Sequence, residues 1–372
     1  MGEFIKLGSL VDIRTGKLNA NAANENGCYP FFTCSVEPLT INTYAYDCES
    51  VLIAGNGDLN VKYYNGKFNA YQRTYIIESK DKDILSVRFL YYFLCEYIDT
   101  LRNNSIGGVI KYIKLSDLTD INFPLIPIKE QQRVVNILDK AEEIRTKKKL
   151  ANEKLDEFLK STFIDMFGDP VTNPKGFIVS KLSNLTTLVS SGSTPLGGAS
   201  TYLTQGILFI RSQNVLMNKF KFDDVAYISE ETHNKMSRTK VNKYDVLLNI
   251  TGASIGRVNY FEGEDGSANV NQHVCIIRPV LEKIMPQYLT FFIGNDFFQR
   301  KIIRENSGAT RQALNFQQIK NFEIPVPSII LQNQFAQIVQ KVEAQKEKNQ
   351  KVIEQMDNLF NSLMQQAFNS SL

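Results

Sequence analysis

The feature that most constrains this chain is a repeat within its own sequence. The segment PLIPIKEQQRVVNIL (124–138) returns about two hundred residues later as PVPSIILQNQFAQIV (325–339). Gln131 aligns with Gln332, a shift of 201 residues, and the apolar positions that follow keep the same shift. Self-similarity over such a distance indicates that one structural plan is used twice. The sequence therefore predicts two similar globular segments, each followed by a similar long helix.

The two globular segments differ in length. KLGSL (6–10) aligns with KLSNL (181–185) at a shift of 175 residues, against 201 at the junction, so the second copy is longer by about 26 residues. Most of the addition lies between Leu185 and Asp245. The predicted organisation is a first globular segment (1–127), a first long helix (128–168), a second globular segment (169–328) and a second long helix (329–372).

Each long helix carries apolar residues at alternating spacings of three and four. Lys148 interrupts this stripe in the first helix, and Gln345 and Asn349 interrupt it in the second. A helix of about 38 residues would be about 57 Å long at 1.5 Å per residue, and a stripe of that length has to be buried. We expect the two helices to pack on each other, with the polar interruptions fixing their register. Packing of each helix on its own domain alone is the alternative.

Short apolar runs bounded by Gly and Asn predict strands in both globular segments. They are VLIAG (51–55), TYIIE (74–78), ILFIR (207–211), DVLLNI (245–250) and HVCIIRP (273–279). The segments 84–101 and 287–303 have apolar residues with a period near 3.6, and each predicts a helix. Because strands and helices do not alternate as simple strand–helix units, the predicted fold class is α+β.

Little in the sequence indicates a catalytic, metal or cofactor site. The histidines, His233 and His273, have no neighbouring residues with metal-ligand spacing. GNGDLN (55–60) lacks the third glycine and the lysine of phosphate-binding loops. We therefore predict a non-catalytic protein that binds no metal or cofactor itself.

Cysteine usage and hydropathy predict a cytoplasmic protein. The five cysteines are odd in number and form no C-x-x-C pair, which favours a reduced compartment over a disulfide framework. No apolar run reaches the roughly 18 residues of a membrane span. The first residues, MGEFIKLGSL, lack the layout of a secretory signal.

Polar, glycine-rich loops are the remaining candidates for function. Paired hydrogen bonds from Asn or Gln suit adenine, those from Arg suit guanine, and Gly lets the backbone approach a base. Two similar domains at a fixed separation would suit DNA, whose equivalent groove faces recur about every 34–36 Å. The residues predicted to contact DNA are Arg14, Asn56, Lys62, Gln72, Arg73 and Lys111 in the first segment and Arg211, Gln213, Asn214, Thr251, Arg257, Asn271, Gln272 and Arg311 in the second.

The charge distribution favours the second segment for contacts with phosphates. Residues 169–328 hold 17 Lys and Arg against 13 Asp and Glu, a net of +4, whereas residues 1–127 hold 12 against 14, a net of −2. Proteins that bind DNA through many phosphate contacts are more basic than this. We expect this chain to read bases while a partner supplies part of the grip on the backbone.

Several motifs together resemble the specificity subunit of type I restriction–modification systems. They are the Pro-to-Gln junction before each long helix, FIDMFGDP (163–170), SGSTP (191–195), ITGASIGR (250–257) and VNQHVCIIRP (270–279). The resemblance covers essentially the whole chain. It implies that 1–127 and 169–328 are target recognition domains, each reading one half of a bipartite DNA site, and that the two spacer helices form an antiparallel coiled coil.

The resemblance also implies partners for this chain. Two methyltransferase subunits would bring S-adenosylmethionine and methylate adenine, and restriction subunits would bring ATP, Mg²⁺, translocation and cleavage. The chain itself would bind double-stranded DNA and scaffold the complex. Two other functions stay open: the specificity protein of a single-complex enzyme that cuts on both sides of its site, and a coiled-coil scaffold that binds no DNA.

Overall fold

Each globular segment folds together with parts of both long helices. In this computed structural model, which describes residues 3–107, 110–306 and 313–368, one compact unit comprises Met1–Leu150 with Asn349–Leu372 and the other comprises Ala151–Lys348. We call them unit 1 and unit 2.

Unit 1 is built on a six-stranded sheet. Its helices are α1 (Leu7–Leu10), α2 (Val87–Asn104), α3 (Leu115–Thr119), the beginning of α4 (Ile128–Phe167) and the end of α9 (Ile329–Phe368). Its strands are β1 (Glu3–Lys6), β2 (Val11–Thr15), β3 (Tyr29–Phe32), β4 (Leu39–Ile41), β5 (Tyr46–Ala54), β6 (Val61–Ala70), β7 (Thr74–Ser79) and β8 (Asn122–Leu125). The sheet order is β2-β7-β5-β6-β3-β4, antiparallel except between β3 and β6, and β1 pairs separately with β8.

Helix α2 shows how the sequence specifies the core of unit 1. The Ser86 hydroxyl accepts a hydrogen bond from the Phe89 N–H at 3.3 Å and caps the helix. Phe89 and Phe93, four residues apart, are buried on one helical face, where both rings contact Phe123. Truncating either ring to Ala would cost about 3–5 kcal/mol of stability, because the transfer energy is lost and a cavity remains.

Unit 2 contains two four-stranded sheets. Its helices are α5 (Glu230–Lys235), α6 (Pro286–Gly294), α7 (Asp296–Asn306), α8 (Phe316–Lys320), the end of α4 and the beginning of α9 (Ile329–Phe368). Its strands are β9 (Ile178–Lys181), β10 (Thr186–Ser191), β11 (Ile207–Ile210), β12 (Val215–Leu216), β13 (Lys219–Phe220), β14 (Ala226–Ile228), β15 (Lys240–Val241), β16 (Val246–Asn249), β17 (Val258–Tyr260), β18 (Ala268–Val270), β19 (Val274–Pro279) and β20 (Glu323–Val326). The sheet orders are β10-β19-β16-β17 and β14-β11-β18-β15, with separate pairs β12-β13 and β9-β20.

The sequence repeat is also a repeat of strand pairing. In unit 1, β3 runs parallel to β6 with Phe31 opposite Asn69, and in unit 2, β11 runs parallel to β18 with Phe209 opposite Asn269. The hairpin β12-β13 and helix α5 lie within the stretch where the second copy is longer. The predicted α+β fold with two mixed domains and two long helices is confirmed.

One predicted helix is in fact two helices. The segment 287–303 is divided at Asn295, which has an extended conformation between α6 and α7. The Asn295 side chain accepts a hydrogen bond from the Phe297 N–H at 2.9 Å and so begins a new helix. The apolar period continued through this position, so the sequence pattern could not show the break.

Within each unit, the segments of the two long helices run antiparallel and share one polar contact scheme. In unit 1, Arg145 bonds Glu142 at 2.5 Å on its own helix and Asp357 at 3.1 Å on the other. In unit 2, Lys346 bonds Glu343 at 3.0 Å and Asp156 at 2.7 Å. Each of these three residues in unit 2 is the 201-residue equivalent of one in unit 1.

The polar interruptions of the apolar stripe also meet within unit 1. Lys148 Nζ donates to the Asn349 side-chain oxygen at 3.2 Å, and Asn349 is buried. Burial of a polar residue in a coiled-coil seam is stable only when it is paired, so this contact favours one register over its neighbours. The prediction that the two helices pack on each other is confirmed in each unit.

All five cysteines lie in the described part of the chain, and each carries a free thiol. Among the described residues, none of the helices is long and apolar enough to cross a membrane.

Candidate nucleic-acid interface

In unit 2, four polar loops that are distant in sequence converge at strand ends. Backbone hydrogen bonds join them: Asn271 N–H donates to Ile210 O at 3.2 Å, and Ile250 N–H donates to His273 O at 3.0 Å. The loops brought together are 191–195, 211–214, 251–257 and 271–273. Three of them hold predicted DNA-contacting residues.

Two small features of the sequence allow this close approach. A Cβ on Gly192 would overlap the carbonyl oxygen of Val270, the last residue of β18. The loop 191–195 therefore requires glycine at this position. Asn249, fully buried at the end of β16, donates from its amide to Ser212 O at 2.8 Å and Val215 O at 3.2 Å. These contacts hold the loop after β11 against the loop after β16.

A chain of side-chain hydrogen bonds crosses three of these loops. Thr194 Oγ1 donates to Gln272 Oε1, Gln272 Nε2 donates to His273 Nε2 at 3.0 Å, and His273 Nδ1 lies 2.7 Å from Thr251 Oγ1. Because an amide nitrogen only donates, His273 Nε2 accepts, and the proton of the neutral ring lies on Nδ1 and is donated to Thr251. Linked bonds of this kind polarise and orient one another, which fixes the exposed Gln272 amide.

The loop after β11 is organised by Asp224. Arg211 Nη2 donates to the Asp224 backbone oxygen at 2.8 Å, and Gln213 Nε2 donates to the Asp224 carboxylate at 2.6 Å. The Nε of Arg211 is buried and makes no hydrogen bond within the described residues. Arg211 and Gln213, both predicted to contact DNA, are therefore held side by side.

Two predicted residues of unit 2 use their side chains inside the loops. Asn214 is buried, its Oδ1 accepts from Arg211 N–H at 3.0 Å, and its amide donates to Lys221 O and Asp224 O, both at 2.9 Å. Asn271 is 8% exposed, and its Oδ1 accepts from His273 N–H at 3.1 Å. Their contact with DNA stays a prediction.

Unit 1 repeats the backbone frame of this site. Tyr71 N–H donates to Phe32 O at 2.9 Å and Gly55 N–H donates to Arg73 O at 2.7 Å, which are the repeat equivalents of the two bonds in unit 2. A Cβ on Gly16 would overlap the Ala70 carbonyl oxygen, as at Gly192. The loops 15–18, 33–36, 55–58 and 71–73 converge accordingly.

The side chains on this frame differ from those of unit 2. Cys34 Sγ donates to Asn56 Oδ1 at 2.9 Å, Asn60 Nδ2 donates to Cys34 O at 2.8 Å, and Lys62 Nζ donates to the Asn60 side chain. Burial lowers the pKa of Lys62. Gln72 and Arg73 are both exposed beside this network.

The remaining predicted residues are distributed unevenly. Lys111 is exposed beside the loop of Asn56, and its carbonyl accepts from Gly57 N–H at 2.9 Å. Arg14 forms an ion pair with Glu78 and lies over the Tyr46 ring at 4.9 Å, so its described contacts are with strands rather than with these loops.

Two residues of unit 2 complete the set of predictions. Arg257 is half-buried at the end of the 251–257 loop, directly before β17. Arg311 lies outside the described residues.

Some site residues had no individual signal in the sequence. Thr194 and His273 stood inside the motifs SGSTP and VNQHVCIIRP, yet their partners Gln272 and Thr251 are 78 and 22 residues away. Asp224 and Cys34 stood in no motif at all. Only contacts between distant loops give these residues a role.

Comparisons with known proteins agree with this architecture. A family model described as "Type I restriction modification DNA specificity domain" matches residues 2–154 and 174–356. The chain is 45% identical over 135 residues to the type I restriction enzyme EcoDI specificity subunit of Escherichia coli, which is 36% of this chain and 30% of that protein. It is 26% identical over 354 residues to the EcoBI specificity subunit of Escherichia coli, covering 87% of this chain and 74% of the relative.

A solved structure has the same fold over nearly the full length. The type I restriction–modification system S subunit from M. genitalium superposes with a TM-score of 0.69 at 15% identity, covering 99% of this chain and 96% of that one.

Proposed function

The chain belongs to the type I restriction modification DNA specificity family, and from this premise we propose that each of its two units reads one half of a bipartite DNA site. DNA sequence recognition within a type I restriction–modification system is the function that this membership assigns to it. The division of labour between the units is the part that we infer from the loops.

The repetition of one loop frame with different side chains is the observation that carries this proposal. The same backbone bonds hold the loops at equivalent positions, but Gln72 and Arg73 in unit 1 correspond to Gln272 and His273 in unit 2, and Asn56 corresponds to Thr251. A shared frame places side chains at equivalent distances from a groove. Different side chains on it suit two different half-site sequences.

Within each frame we assign two kinds of work. Exposed amides and guanidinium groups, such as Gln213, Gln272 and Arg73, would bond base edges. Buried amides, such as Asn214 and Asn271, would hold the loop backbone in shape. The exposed residues should therefore determine which base is accepted, whereas the buried residues should determine whether the loop keeps its folded conformation.

Catalysis and cofactors belong to partners in this proposal. Specificity subunits of this family are not catalytic. We propose that two methyltransferase subunits carry S-adenosylmethionine and that restriction and translocase subunits carry ATP and Mg²⁺, all acting on double-stranded DNA in the cytoplasm. The chain would bind these subunits and bring them to the site.

The test is sequencing of methylated bases in a host with and without this gene. We expect one bipartite motif to appear with the gene, and substitution of Gln72 or Arg73 to change bases in only one of its halves. Loss of both halves at once would contradict the division of labour. A complex with cognate methyltransferase subunits that gives no bipartite footprint would favour the DNA-free scaffold, and double cleavage flanking the site would favour the single-complex enzyme.

A further inference from the structure

One buried glutamine ties the first turn of α4 to the globular part of unit 1. Gln131 Nε2 donates to the backbone oxygens of Ile84 and Ile126, both at 2.8 Å, and Gln131 Oε1 accepts from the Ser86 N–H at 2.9 Å. The Gln131 side chain is 0% exposed. Because water cannot reach these groups, each would be left unpaired without the amide.

Gln332 makes the equivalent three bonds in unit 2. Its Nε2 donates to Lys283 O at 3.2 Å and Pro327 O at 2.9 Å, and its Oε1 accepts from Met285 N–H at 2.8 Å. Gln332 is also 0% exposed. The glutamine in the motif that revealed the repeat thus makes the same three contacts in both units.

The positions of the hydrogen-bond partners show which segments each glutamine holds together. Ser86 and Met285 directly precede α2 and α6, while Ile126 and Pro327 lie two residues before α4 and α9. One planar amide therefore joins the long helix, the loop that leads into it and a core helix of the domain. Three bonds from one planar group leave it little freedom to rotate. Glu would lack both donors, and Met would lack every polar atom.

Another contact between α2 and α4 is not repeated. Arg88 Nε donates to Asp139 Oδ1 at 2.8 Å in unit 1, but the equivalent residues in unit 2 are Gln287 and Gln340. The three hydrogen bonds of the glutamine are thus present in both units, whereas this neighbouring ion pair is present in unit 1 alone. This difference indicates that the glutamine has a role common to both domains.

We propose that Gln131 and Gln332 are positioning residues for DNA recognition. By fixing the orientation of each recognition domain on its own long helix, they restrict the complex to one distance between half-sites. They touch no base themselves. This inference rests on the bipartite reading proposed above.

The test uses the complex with its methyltransferase subunits and a DNA library with constant half-sites and a variable spacer. For Gln131→Met and Gln332→Met, we expect methylation at spacers one base pair longer or shorter to rise relative to the wild-type spacer by about tenfold or more, a change of about 1.4 kcal/mol. The preferred bases within each half-site should not change. Gln131→Glu, which keeps the acceptor for Ser86 N–H and removes the donors, is measured in parallel, so that poor assembly of one variant does not decide the result.

Val51→Ala and Val246→Ala are matched controls, because they are repeat equivalents, are fully buried, and lie on the sheet strands β5 and β16 rather than on the junctions. They should lower the melting temperature without broadening the spacer. Equal broadening in these controls, or none in the folded glutamine variants, would overturn the inference. If the wild-type chain itself gave no bipartite motif, the proposed function would fail instead.

Discussion

Replacing Gln272 with Ala should weaken recognition of a single base pair in one half-site. The Gln272 side chain is exposed, and its hydrogen bonds run to the side chains of Thr194 and His273. Loss of exposed contacts of this kind changes stability by only about 0.5 kcal/mol. A paired contact with a base is worth about 1–3 kcal/mol, which corresponds to a loss of about 5- to 160-fold for the preferred base.

The adjacent Asn271 provides a contrast within the same loop. It is buried, and its Oδ1 pairs the His273 N–H at 3.1 Å, so Asn271→Ala leaves that donor unsatisfied. We expect this variant to lose about 1–3 kcal/mol of folding free energy and to weaken every base pair of its half-site alike.

The assay is methylation, by the complex with its methyltransferase subunits, of a set of sites with one base pair changed at a time across both half-sites. Thermal unfolding of each variant is measured beside it. A uniform loss across both half-sites for Gln272→Ala, or a drop in stability equal to that of Asn271→Ala, would refute the assignment of Gln272 as a reader.

Three further predictions concern the helices and the core. Inserting three heptads after Ala151 and after Val352 adds about 31.5 Å to each helix. Because this length is close to the 34–36 Å of one DNA turn, the spacer between the half-sites should grow by about 10 base pairs. An unchanged spacer in the methylated motif would show that the helices do not set its length. Truncating Arg145 and Asp357 to Ala, singly and together, should give a coupling energy of about 0.5–1 kcal/mol by denaturant unfolding, because both side chains are partly exposed. Simple additivity of the two single losses would contradict this. Asp245→Asn should lower the free energy of unfolding by about 3 kcal/mol. The reason is that fully buried Asp245 accepts two hydrogen bonds from Arg278, both at 2.8 Å, and the Arg278 side chain is itself only 29% exposed. A denaturant midpoint close to that of the wild type would contradict this prediction.

Local patterns were enough to predict much of the fold. The strands at Val51 and Thr74 and the two long helices follow from apolar periodicity, which depends only on neighbouring residues and on the period of each element. The repeat needed no structure either, because a duplicated plan leaves its register in the sequence. The candidate loops could be found as polar, glycine-rich segments between strands.

The tertiary structure decided which polar residues do which work. Gln131 and Gln272 are both glutamines in repeated motifs, yet one is buried on three backbone groups and the other is exposed among side chains. The break at Asn295 likewise arises because its side chain caps a new helix, although the apolar period continues across this position. A sequence specifies the chemistry of each side chain, but burial and hydrogen-bond partners come from segments tens to hundreds of residues away. Whether an amide supports the backbone or faces a ligand is therefore fixed only when those segments meet.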